Sequence, residues 1–293
     1  MVNPASRRGA RGVAIALEAF RARGITCDVL RTERPGHGGA AAVERAPQYD
    51  AVFTLGGDGT AMEVVGALAG TRKPVGILPG GTGNLIARTL GVPLGMKRAV
   101  AALLDGELRE VDLGRLADGR RFAFAAGVGI DAAMIERTPA TLKRRLGVWA
   151  YVLSASRAVL RRERFAVRVT VDGAMHEREA SAVMVANFGA VLNALITLGP
   201  GIRHDDGVLD VCVFSPRTFL DAVRVMWRLW RKDFRPDPCM LYLPGREMRV
   251  ECHPPRLAQA DGELIGPTPF DVRVEPRAAH LLAPRPRAAP APG

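Results

Sequence analysis

Cysteine is scarce: the 293 residues hold four, Cys27, Cys212, Cys239 and Cys252, scattered and without a C-x-x-C pair. That spacing indicates neither a thiolate zinc site nor a disulfide framework. Long apolar runs are missing too. Nothing approaches the roughly 20 uninterrupted apolar residues that span a bilayer, and Arg7, Arg8, Arg11 and Glu18 break up the stretch where a signal peptide needs its apolar core. The chain is therefore expected in the cytoplasm, free or peripherally attached to a membrane. Acidic residues are the minority charge, 30 against 41 lysines and arginines, for a net +11. That balance favours anionic partners: phosphates, nucleic acid or an acidic membrane. A composition 48% hydrophobic and 24% charged is that of a folded protein long enough for two domains.

Glycine is concentrated where it can do chemistry. Leu55-Gly56-Gly57-Asp58-Gly59-Thr60 and Pro79-Gly80-Gly81-Thr82-Gly83-Asn84 each follow an apolar run that reads as a buried strand, and each leads into a helix-like stretch. Glycines let backbone N–H groups crowd around an anion, and a helix starting there adds unpaired donors and the positive end of its dipole. A lone Gly-Gly or Asp-Gly pair is usually a plain turn. Two such loops in the same strand-loop-helix setting point to bound phosphate.

The first hundred residues alternate. Helices are predicted over Val13 to Arg23, Gly39 to Arg45, Ala61 to Ala69 and from Leu85, and strands over Thr26 to Leu30, Ala51 to Leu55 and Val75 to Leu78. Such alternation predicts a parallel sheet covered by helices, with ligands at the carboxyl ends of the strands, where both glycine loops fall. From Asp112 the rhythm changes to hairpins around Asp118-Gly119 and Asp172-Gly173 and short strands at Arg246 to Cys252, Arg256 to Ala260 and Phe270 to Glu275. Helices are predicted at Leu142 to Arg162 and Arg217 to Lys232. The expected organisation is an α/β domain over 1–111, a mainly β domain over 112–283, and a disordered Ala/Pro/Arg tail over 284–293.

Taken in order, these residues resemble the diacylglycerol kinase catalytic family, which includes bacterial lipid kinases and sphingosine kinases. Beyond the two loops, the resemblance rests on Asn3-Pro4 with Ala5-Ser6, Thr32 with Gly36-His37-Gly38, and Gly127 to Ala132. It continues through Ala186-Asn187, Asp206-Gly207-Val208-Leu209-Asp210-Val211 and Asp261-Gly262-Glu263. Gly-Gly-Asp-Gly-Thr alone is shared with NAD kinases; the later blocks look like the lipid-kinase branch. The implied fold is a NAD-kinase-like α/β nucleotide domain followed by an antiparallel β-sandwich domain, with the active site in the interdomain cleft. One departure stands out: the family opens with a complete apolar strand, whereas only Met1 and Val2 precede Asn3 here. Either the first strand is incomplete or the true start lies upstream.

The resemblance also implies roles. ATP lies across Gly56, Gly57, Asp58, Gly59 and Thr60 and across Gly80, Gly81, Thr82, Gly83 and Asn84, with Thr32 contacting the nucleotide. Asp261 is the first candidate for the general base that takes the proton of the lipid hydroxyl; Asp58 is its rival for a base or metal-organising role, and Glu263 supports the base or a magnesium ion. A structural Mg²⁺ is assigned by position to Asp206 with the carbonyls of Arg203 and Val208. The structural alternatives are tight turns with helix-capping hydroxyls, an Asp-Gly hairpin, and a turn before a strand.

In the stretch Arg217 to Arg235, Phe219, Leu220, Val223, Met226, Trp227 and Trp230 fall on one broad side at helical spacing, and Arg224, Arg228, Arg231 and Lys232 on another. This suits a helix on an anionic bilayer or an amphipathic helix packed on its own domain. Lys143 to Arg145 with Trp149, and Arg161, Arg162 and Arg164, carry the same two readings. The expected function is an ATP- and Mg²⁺-dependent lipid kinase acting on a primary hydroxyl of a diacylglycerol-like or sphingoid lipid at a membrane surface. A homodimer is among the expected assemblies, and nucleic acid is not an expected partner, since no recognised module accompanies the charge. The alternatives are a NAD kinase-type phosphotransferase on a soluble acceptor, and an inactive protein that binds nucleotide or anionic membrane.

Overall fold

The computed structural model describes all residues except Ala5, Arg7, Arg8, Pro35, Thr82, 130–163, 192–195 and 286–293. The predicted helix over Leu142 to Arg162, the tail beyond residue 285 and the hydroxyl of Thr82 thus lie outside the described residues. The chain forms two compact units, Met1–Val111 together with the segment from Arg277, and Asp112–Pro276.

The first unit contains α1 (Gly9–Arg21), α2 (His37–Arg45), β1 (Val52–Gly56), α3 (Asp58–Ala67), β2 (Pro74–Pro79), α4 (Leu85–Thr89) and α5 (Met96–Leu104). Strands β1 and β2 pair in parallel, from Val52 opposite Val75 to Gly56 opposite Pro79. Their apolar runs are buried almost end to end, as parallel strands covered on both faces require. Helix α5 buries Met96, Ala99, Val100 and Leu103, a single stripe at i, i+3, i+4 and i+7. Helix α4 is short because Gly91 turns the chain at φ +79° and Pro93 follows.

One expected strand is absent. Residues 26–30 are not laddered as a β-strand, because a ladder needs a partner along its length and the residue beside them is Val2, which bridges Leu55 on one side and Arg31 on the other. Its N–H donates to Leu30 O at 2.8 Å, and the N–H of Thr32 donates to Val2 O at 2.8 Å. Alongside lies an apolar cavity of about 430 Å³ lined by Phe20, Val29, Tyr49 and Phe53 among others.

The chain passes into the second unit along β3 (Glu107–Leu116), followed by β4 (Arg121–Phe122), β5 (Ala125–Val128), β6 (Phe165–Val171), β7 (Ala174–Ala180) and β8 (Ala182–Ala186). Then come the short pair β9 (Ala190–Val191) and β10 (Ile196–Thr197), β11 (Leu209–Phe214), α6 (Phe219–Arg231), β12 (Met240–Gly245), β13 (Glu247–His253), β14 (Leu257–Ala260), β15 (Glu263–Pro267) and β16 (Phe270–Ala283). One antiparallel sheet has the order β12-β11-β8-β5-β14-β15, and in the other β16, β13, β6 and β7 follow one another. Phe122, Phe165, Val169, Val185, Val211 and Val250 belong to the apolar core that the sheets share. Alternation places Phe165, Val167, Val169 and Val171 of β6 inward.

Both predicted Asp-Gly hairpins are present. Asp172 and Gly173 have φ of +47° and +85° and join Val171 to its partner Ala174, a two-residue turn of the kind Asp-Gly favours. Gly119, at φ +87°, turns β3 into β4. Strand β16 runs further than the sequence suggests, through Pro276 to Ala283; His280 and Leu281 pair in parallel with Pro74 and Val75 of β2, so the chain from Arg277 lies in the first unit rather than ending the second.

Candidate active site

The two glycine loops pack backbone on backbone. Gly80 N–H donates to Gly56 O at 3.0 Å, and a Cβ on Gly81 would stand 2.5 Å from the Cα of Gly57. A Cβ on Gly56 would stand 2.7 Å from Thr60 Cβ, and one on Gly80 would stand 2.8 Å from Gly56 N. Glycine is required at these positions by close approach, independently of any ligand. The loop side chains are also tied down. Asn84, at φ +50°, closes a ring with Gly81, accepting from its N–H and donating to its carbonyl, both at 2.8 Å. Thr60 is buried, and its Oγ1 accepts from Asn3 Nδ2 at 3.2 Å. Buried Thr32 donates its hydroxyl to Val2 O at 3.4 Å. Both threonine hydroxyls therefore bond within the protein, Thr60 to Asn3 and Thr32 to Val2, whose backbone runs beside Leu55 of β1.

Asp58 bridges the loops. Its carboxylate accepts from Ile86 N–H at 3.3 Å and from the backbone at Asn84 and Leu85, where α4 starts. Burial pushes its pKa up, and these backbone donors oppose the shift. The Asp58 carboxylate thus lies at the start of the helix that follows the second glycine loop. The start of α3 is different: its first intrahelical bond joins Ala61 N–H to Gly57 O. The preceding N–H groups have no partner within the helix.

In the second unit, Asp261 and Gly262, at φ +48° and +90°, form the two-residue turn between β14 and β15. The Asp261 carboxylate is a clamp on the backbone before β5. Oδ2 accepts from Ala123 N–H at 2.7 Å, and Oδ1 from the N–H groups of Phe124 and Ala125 at 2.9 and 3.0 Å. Behind them Asn187, fully buried, donates through Nδ2 to the carbonyls of Asp112 and Ala123 at 2.6 and 2.7 Å. Glu263, the first residue of β15, is exposed. Asp261 and Asn187 belong to the sequence motifs; the backbone they both bond, Ala123 to Ala125, carries no polar side chain and no motif.

Asp206 lies just before β11, and its Oδ1 accepts from Val208 N–H at 3.3 Å. The Asp210 carboxyl is pushed up to about 6, first by burial and then by the charge of Asp206. A carboxylate and backbone carbonyls, the oxygen donors named at Arg203, Asp206 and Val208, are of the kind a hard divalent cation such as Mg²⁺ takes. Among the described residues no three His, Cys, Asp or Glu side chains converge on a metal position.

Residues 1–116 match the diacylglycerol kinase catalytic domain, and residues 125–283 match the YegS C-terminal NAD kinase beta sandwich-like domain. The chain belongs to the bacterial diacylglycerol and lipid kinase family. Within that family it is 27% identical to the diacylglycerol kinase of Bacillus subtilis over 292 residues, covering 98% of this chain and 96% of that one. It is 28% identical to the diacylglycerol kinase of Mycobacterium tuberculosis over 97% of this chain and 94% of that one. A Synechocystis relative described as uncharacterized is 33% identical over 80% of this chain, which spans 54% of that longer protein. The crystal structure of a putative diacylglycerol kinase from Bacillus anthracis superposes with a TM-score of 0.79 at 26% identity, covering 96% of this chain and 93% of the other. Sheet architecture and family thus agree: an α/β unit with a β-sandwich unit.

Proposed function

We propose that this family member transfers the γ-phosphoryl group of ATP to a primary hydroxyl of a diacylglycerol-like or sphingoid lipid. The observation that carries the reading is the pair of glycine loops locked together by Asp58, within a chain whose relatives are named diacylglycerol kinases. The nucleotide phosphates would meet the N–H groups at the start of α3, around Gly57, Gly59 and Thr60, since the donors at the start of α4 are taken by Asp58. Mg²⁺ bound with the nucleotide would supply charge neutralisation for the phosphoryl group, and a second, structural Mg²⁺ would be held by Asp206 with the carbonyls of Arg203 and Val208.

The clamp supports a different order of the carboxylate candidates. We read Asp261, whose two oxygens accept from three backbone amides, as a positioning residue. Glu263, exposed at the start of β15, is the carboxylate available to accept the hydroxyl proton. Asp58, half-buried and accepting from the start of α4, would hold the loops in place.

Labelled ATP with Mg²⁺ and parallel acceptors tests the reading: dispersed diacylglycerol, a sphingoid base, ceramide and NAD. Label in an organic-extractable product supports it and names the acceptor. Label in NAD alone replaces it with the soluble-acceptor kinase. No label in any acceptor, from folded protein that still binds ATP, rejects it in favour of a binding role.

A further inference from the structure

Helix α6 has two apolar faces, and the protein uses one of them. Thr218 and Asp221 form a capping box at its start, and Ala222, Val225 and Leu229 are buried, a stripe at i, i+3 and i+7. On another side Leu220, Val223, Trp227 and Trp230 follow one another at the same helical spacing. There Leu220 is 76% exposed, Trp227 58% and Trp230 41%, with Phe219 beside them at 46%. The two indoles stand 4.9 Å apart between ring centroids. A contiguous apolar strip of this kind on a folded protein marks an interaction surface.

Charge selects the partner. The segment from Arg217 to Asp237 holds six cations and three carboxylates. The carboxylates are consumed locally: Asp221 pairs with Arg224 at 3.2 Å, Asp237 with Arg228 at 2.5 Å and with Arg224 at 3.4 Å, and Asp233 with Arg235 at 2.7 Å and with Arg228 at 3.3 Å. Arg224 and Arg228, which the sequence groups with Arg231 and Lys232 on the basic side, are therefore neutralised. Arg217, Arg231 and Lys232 are exposed and have no ion pair among the described residues. An apolar strip with indoles, rimmed by unneutralised cations, matches the headgroup and upper acyl region of an acidic bilayer.

We infer that α6 is an interfacial helix, which lays Leu220, Val223, Trp227 and Trp230 into an anionic membrane while Arg217, Arg231 and Lys232 meet lipid phosphates. The inference extends the proposed function by placing the enzyme on the surface that holds its acceptor, and it rests on the reading of that acceptor as a lipid.

The test is sedimentation of the full chain with vesicles of phosphatidylglycerol mixed with phosphatidylcholine, against vesicles of phosphatidylcholine alone. Two variants confined to exposed side chains are compared, Leu220→Asp/Trp227→Asp and Arg231→Glu/Lys232→Glu, each checked by thermal melting. The expected result is binding to the acidic vesicles that weakens in high salt and falls roughly tenfold or more in both variants at unchanged melting temperature. The variants should still phosphorylate a short-chain, monomerically dispersed diacylglycerol as the parent does. Indifference of the parent to acidic vesicles, or undiminished binding by either variant, overturns the inference. So does a dimer in solution that the variants dissociate, which would assign the strip to a second copy. Vesicle binding without transfer to any lipid would support the membrane surface and reject the catalytic reading.

Discussion

Asp261 Oδ1 accepts from the N–H of Phe124 at 2.9 Å, across 137 positions of sequence. The same carboxylate holds Ala123 and Ala125, so one side chain at a β-turn organises the entry to a central strand of the sandwich. A residue in that position contributes to folding as well as to any site built on it.

Asp261→Ala should therefore lower stability. Ala123 is fully buried and Phe124 9% exposed, so the amides lose their acceptor where water has little access. Three orphaned donors predict a loss of roughly 3 kcal/mol or more, read by urea denaturation. Asp261→Asn, which keeps one acceptor oxygen, should fall between the two. An Asp261→Ala protein as stable as its parent would refute the clamp.

Gly81→Ala and Gly57→Ala separate packing from composition. The Cβ of the first would meet backbone at 2.5 Å, whereas that of the second would meet Gly81 Cα at an ordinary 3.9 Å. Gly81→Ala is expected to spread the loops and lower the melting temperature by several degrees; Gly57→Ala should melt close to the parent. Equal melting of the two variants would contradict the loop-on-loop arrangement.

Asp58 carries a pH signature. Burial is the leading cause of its raised pKa, so the folded state binds the proton more tightly than the unfolded chain does. The resulting stabilisation is complete below the unfolded value near 3.9 and is lost as pH rises through the folded value. The stability difference between the parent and Asp58→Asn should accordingly shift in favour of the variant as pH rises through that window. A difference independent of pH in paired denaturation curves would show that the carboxylate is not desolvated.

Glu275 behaves oppositely. Despite partial burial, which raises its pKa, the hydrogen bonds and charges of Arg121 and Arg115 leave it below the usual carboxylate range, with Arg121 Nε at 2.5 Å. Its contribution is present above the unfolded carboxylate value and disappears as pH falls through the depressed folded one. Glu275→Gln should cost about 1 to 2 kcal/mol at neutral pH and show less loss of stability on acidification than the parent. Identical acid profiles would place the ion pair outside the stability balance.

Local patterns were legible in the sequence. The two loops, the parallel strands before them, the Asp-Gly hairpin at 172–173 and helix α6 all depend on residues adjacent in the chain, where glycine conformation and apolar periodicity act directly. Long-range partners were not legible. Nothing near Asp261 in sequence announces the amides of 123–125, and nothing near Asp58 announces that it caps the helix after the other loop. The segment 26–30 has strand-forming residues, yet a strand is a property of pairs, and Val2 is the neighbour it finds. On α6, helical spacing separated apolar from basic residues but could not show that Asp237 and Asp233 neutralise the arginines nearest the body of the unit.

The most direct test of the catalytic account is the rate at which label from the γ-phosphate of ATP enters an organic-extractable lipid, compared between the parent and Glu263→Gln. The account predicts transfer by the parent and a fall of roughly a hundredfold or more in the variant, with the two proteins melting alike. A folded parent that labels no lipid would contradict the lipid-kinase reading, and a Glu263→Gln variant as fast as the parent would remove Glu263 from the proton transfer.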